Sequence, residues 1–145
     1  MNNPAKVISL TLSVLLQPAF AKSIDVIPQT VRNAVALEIS ELQVINKCGV
    51  IETTLNPKND DINQYLYKLL EQTAAAMLEK TDQNISKSTL TSSLISGSEK
   101  LSSHYLARIN STMKDLTNEE KSLSLNTEWK LLSCDKVAFK AGLKS

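Results

Sequence analysis

Glycine occurs only three times in the 145-residue chain and proline four times, with Pro28 and Pro57 the last two. That is too little turn chemistry for a many-stranded sandwich or barrel. Aromatic residues are equally sparse, with one tryptophan, three tyrosines and two phenylalanines. Charge of one sign is missing too: the formal net charge is +1. Nucleic-acid binders draw affinity from clustered cations that displace counterions, and no such cluster exists. Phosphate loops, Ser/His/Asp orders and closely spaced metal-ligating residues are likewise absent, so no reaction or cofactor is indicated.

The one marked apolar run, Val7 to Leu16, is followed by Gln17 and Pro18. A spanning helix needs about 20 mostly apolar residues, so a membrane anchor is not expected. Lys6 before the run and the small-x-small triplet Ala19-Phe20-Ala21 after it have the layout of a secretory signal. Cleavage after Ala21 is expected, which makes residues 1–21 a leader and residues 22–145 a single domain in the periplasm or outside the cell. Lys22 stands where a lipoprotein would need cysteine. Loss of Lys6 would leave basic and acidic residues equal in number, at 15 each.

Both cysteines, Cys48 and Cys134, lie beyond the expected cut. In an oxidising compartment an even pair with no spare thiol predicts a disulfide. Their separation of 86 positions corresponds to about 4.6 kcal/mol of chain-entropy stabilisation, before strain and residual structure reduce it. A zinc site would need clustered ligands, and His104 is the only histidine.

Apolar spacing predicts an antiparallel, all-α bundle of about four helices. Val31, Val35, Ile39, Leu42, Ile45 and Cys48 recur at helical steps, with Pro28 suited to the first turn and Gly49 to the stop. A second helix is expected after Asn56-Pro57, capped by Asp60 or Asp61, with Ile62, Leu66, Leu69, Thr73 and Met77 inward. From Ser88 a third stripe runs through Leu90, Leu94, Leu101, Tyr105, Ile109, Met113 and Leu116, and Gly97 could bend it. Thr117 and Glu120 form a capping-box pattern that starts a fourth helix. Trp129 to Phe139 suits either a helix or a short strand.

Residues 86–103 hold ten Ser or Thr in eighteen positions. A solvent-facing surface, a close-packing surface and a loop that orders on binding are all compatible with that composition. The triplets beginning at Asn84 and Asn110 match the N-glycosylation pattern, which arises often by chance in a Ser/Thr-rich chain. His104 lacks a pattern that would supply catalytic partners. Asp60-Asp61 and Glu119-Glu120 sit where helix starts favour negative charge. Tyr65 and Tyr67 cannot both be buried on one helix, and exposed tyrosine and tryptophan often anchor interfaces. Tyr67 and Trp129 are therefore the candidate partner-binding residues, although a lone tryptophan commonly fills a core. The expectation for function is non-catalytic binding of another protein, as in an inhibitor, immunity protein or chaperone. The alternative is a bundle that holds a small apolar ligand.

Overall fold

A computed structural model describes residues 36–80 and 85–142, with the isolated positions Gln29 and Asn33. The expected leader, Pro28, Val31, Val35 and Asn84 lie outside the described residues. Five helices follow one another: α1 Ala36–Leu55, α2 Asp61–Glu79, α3 Lys87–Thr112, α4 Asn118–Leu131 and α5 Cys134–Lys140. The all-α bundle is as the apolar spacing predicts, and there is no strand among the described residues. The ambiguous tail is helical, split between the end of α4 and the short fifth helix.

Helix α1 touches each of the other four. Every residue from Ile45 to Glu52 is buried as a result, including Asn46, Lys47 and Glu52. The expected stop at Gly49 is a correction: the helix runs two turns further, to Leu55. Gly49 instead leaves room for the Asn63 side chain of α2, whose amide end a Cβ there would push aside.

Helix α2 turns Ile62, Leu66, Leu70, Thr73, Ala74 and Met77 inward, with Leu69 only half-buried. Helix α3 begins at Ser86, whose Oγ accepts from the Thr89 N–H at 3.1 Å. The capping box is formed as expected. Thr117 Oγ1 accepts from the Glu120 N–H at 3.2 Å, and the Thr117 N–H donates back to Glu120 Oε2 at 2.8 Å. Ser133, in the left-handed region at φ 55°, makes the corner into α5.

The corner delivers Cys134 to α1. The Cys48–Cys134 disulfide joins Cα atoms 5.5 Å apart, inside a core that includes Leu42, Ile45, Leu70, Met77 and Val137. A second cluster, of Val50, Ile51, Tyr105, Ile109, Met113 and Leu125, continues the core along α1, α3 and α4. Exposed ion pairs, Glu38 with Lys80 at 3.7 Å and Glu41 with Lys140 at 2.9 Å, add little because water screens them.

Candidate functional site

A groove of about 870 Å³ lies between the end of α1, the start of α2 and the second half of α3. Val50, Thr53 and Thr54 contribute from α1; Asn63, Leu66 and Tyr67 from α2. Ser98, Glu99, Ser102, Ser103 and Leu106 form the α3 side, and Pro57 and Asp60 come from the connection.

The hydroxyls of Thr53 and Thr54 are spent on their own helix, donating to the carbonyls of Gly49 at 3.0 Å and Val50 at 2.6 Å. Across the groove, the buried Asn46 side-chain amide donates to Ser98 O at 3.0 Å and to the hydroxyls of Ser98 and Ser102, both at 2.8 Å. These bonds pin α3 to α1 beneath the groove. They also resolve part of the Ser/Thr-rich run: Ser98 and Gly97 are buried packing positions, whereas Ser92 and Ser103 face outward.

Tyr67 remains 43% exposed and Leu106 41%, so the groove presents one aromatic and one aliphatic side chain. The Tyr67 hydroxyl is pushed above its ordinary pKa, first by partial burial and then by the charges of Glu99 and Asp60. Two carboxylates from different elements therefore act on one phenol.

Outside the groove lining lies a buried polar cluster. Lys47 is 1% exposed and its ammonium sits 5.4 Å from the centre of the Tyr105 ring. Burial lowers the Lys47 pKa, while the Glu128 charge opposes that shift and Arg108 adds to it. Burial is also the main cause that raises Tyr105, helped by Glu128. Three helices thus each contribute one member to a Lys47, Tyr105 and Glu128 cluster.

Of the two candidate partner-binding residues, the structure sets Tyr67 in the groove and Trp129 elsewhere. The Trp129 ring is half-buried against both core clusters, and its Nε1–H donates to Asp135 Oδ1 at 2.7 Å. His104 is exposed on α3 and does not line the groove. The triplet at Asn110 is on the last turns of α3, where Asn110 borders a smaller cleft of about 290 Å³. Glu99, Asp60 and Leu106 are groove residues that sequence reading did not select. Leu106 carried a signal, since it sits one step off the buried stripe of Leu101, Tyr105 and Ile109.

Among the described residues no helix is long and apolar enough to cross a membrane, and no group of three or more His, Cys, Asp or Glu could hold a metal ion. No known protein family, curated protein or solved structure matches the chain.

Proposed function

We propose that the chain is a small exported protein that acts by binding another protein, with the groove around Tyr67 as the contact surface. The carrying observation is a half-exposed tyrosine and an exposed leucine in an opening lined by three helices. Tyrosines in such positions are frequent energetic anchors, because they bring large contact area at low entropic cost. The lining mixes apolar surface at Val50, Leu66, Tyr67 and Leu106 with polar groups at Ser98, Ser102, Ser103 and Asn63, a combination that suits a polypeptide with its own amides. Export follows from reading residues 1–21 as a leader, and a disulfide of this kind persists in oxidising compartments such as the periplasm. The role is non-catalytic.

The test is capture of a partner from the periplasmic or secreted fraction of the source cells, using the oxidised chain and its Tyr67→Ala variant side by side. Wild type should retain one protein in near-stoichiometric amount, and the variant should bind it more than about tenfold more weakly. Equal retention by both chains, or no retained protein, counts against the proposal. Tyr67 is exposed enough that both chains should melt alike.

A further inference from the structure

We infer that the partner segment received by the groove carries a lysine or arginine, seated between Asp60 and Glu99 with its aliphatic stem against Tyr67. This rests on the groove being the contact surface. Asp60 reaches the groove from the start of α2 and Glu99 from α3, so the two carboxylates approach from different walls. Both line the same groove as Tyr67, and both charges act on its hydroxyl. Asp61 strengthens the negative end, since its charge and that of Asp60 both act on Glu52 behind it.

Among the described residues no lysine or arginine lines the groove to offset these charges. Lys58, Lys68 and Lys100 are exposed and are not part of the lining. Asp60 has one neutral partner, the Asn63 amide, which donates to its Oδ1 at 3.0 Å. A basic side chain meets every part of this arrangement. Its charge complements two carboxylates, its methylene stem covers apolar surface at Leu66 and Leu106, and the tyrosine face favours a cation.

Selection from a phage library of random short peptides on the immobilised, oxidised chain tests the inference. Enriched peptides should share a lysine or arginine beside apolar residues. Their affinity should fall from low to high salt, and about tenfold in a chain carrying Asp60→Asn with Glu99→Gln. Asparagine at 60 keeps the acceptor for Asn63, and both sites are exposed, so matched melting curves are expected. Peptides without a cation, affinity indifferent to the double variant or to salt, or no enrichment would each overturn it. Loss of the cell-derived partner on Tyr67→Ala, with full retention by the charge variant, would sink this inference and leave the groove proposal standing. Retention by the Tyr67→Ala chain would sink both.

Discussion

The Glu52 carboxylate, in the last turn of α1, accepts the backbone N–H of Ile62 in the first turn of α2 at 3.1 Å. Both residues are buried. Asp60 occupies the position before α2 but makes no side-chain bond to the helix backbone. The orphan donor is satisfied from the neighbouring helix instead, so one carboxylate both caps α2 and ties it to α1.

Replacing Glu52 by alanine strands a buried donor and should cost about 1–3 kcal/mol in urea unfolding. Glutamine at 52 keeps an acceptor and should cost less. Burial, then Asp61 and Asp60, raise the Glu52 pKa, against the lowering effect of the Ile62 N–H. The folded state therefore binds the proton more tightly than the unfolded chain. This contribution is complete below the unfolded value of about 4.3 and is lost as pH rises through the raised folded value. Subtracting the pH profile of Glu52→Gln from that of wild type should leave a negative slope in that window. A flat difference would refute the assignment.

Opening the Cys48–Cys134 bond should remove up to about 4.6 kcal/mol, since the bridge spans 86 positions and constrains most of the unfolded chain. Cys48→Ser should melt well below wild type under oxidising conditions. With both proteins reduced, the two curves should nearly coincide.

The charges of Lys47 and Glu128, both buried, act on each other inside the bundle. Lys47→Met alone should destabilise by about 3–5 kcal/mol, because it removes a buried positive charge that favours the buried Glu128 carboxylate. Adding Glu128→Leu should recover most of the loss, which a double-mutant cycle reads as a coupling energy. Additive losses would mean that the two charges do not support each other.

Thr117→Ala removes the hydroxyl half of the capping box at the start of α4 and should cost about 1 kcal/mol. Hydrogen exchange should show the loss first in the amides of residues 119–121. Uniform acceleration across the bundle would contradict a local effect.

The parts of this fold legible in the sequence are those set by neighbours in the chain. The Thr117–Glu120 box and the leucine stripe of α3 depend on residues within one or two turns, whereas the side-chain cap expected of Asp60 or Asp61 is not formed and Glu52 caps α2 from another helix. The Cys48–Cys134 bond was legible for another reason, a count of two in an even pair. What periodicity hid is α1 beyond Gly49. A helix packed by four others has no outer face over Ile45 to Glu52, so buried Asn46, Lys47 and Glu52 break the apolar stripe. Gly49 resembles a stop signal for the same reason, since only the approach of Asn63 from another helix reveals its use. The groove was half visible. Tyr67 stood out as the exposed member of a tyrosine pair, but Asp60 and Glu99 meet it only through tertiary packing.

The sulfur bridge joins the middle of α1 to the first residue of α5, so α2, α3 and α4 all lie within one covalent ring. A protease that cuts once anywhere in that ring produces no separate fragments. The clipped molecule migrates as a single species on a non-reducing gel and falls into two pieces only when thiol is added.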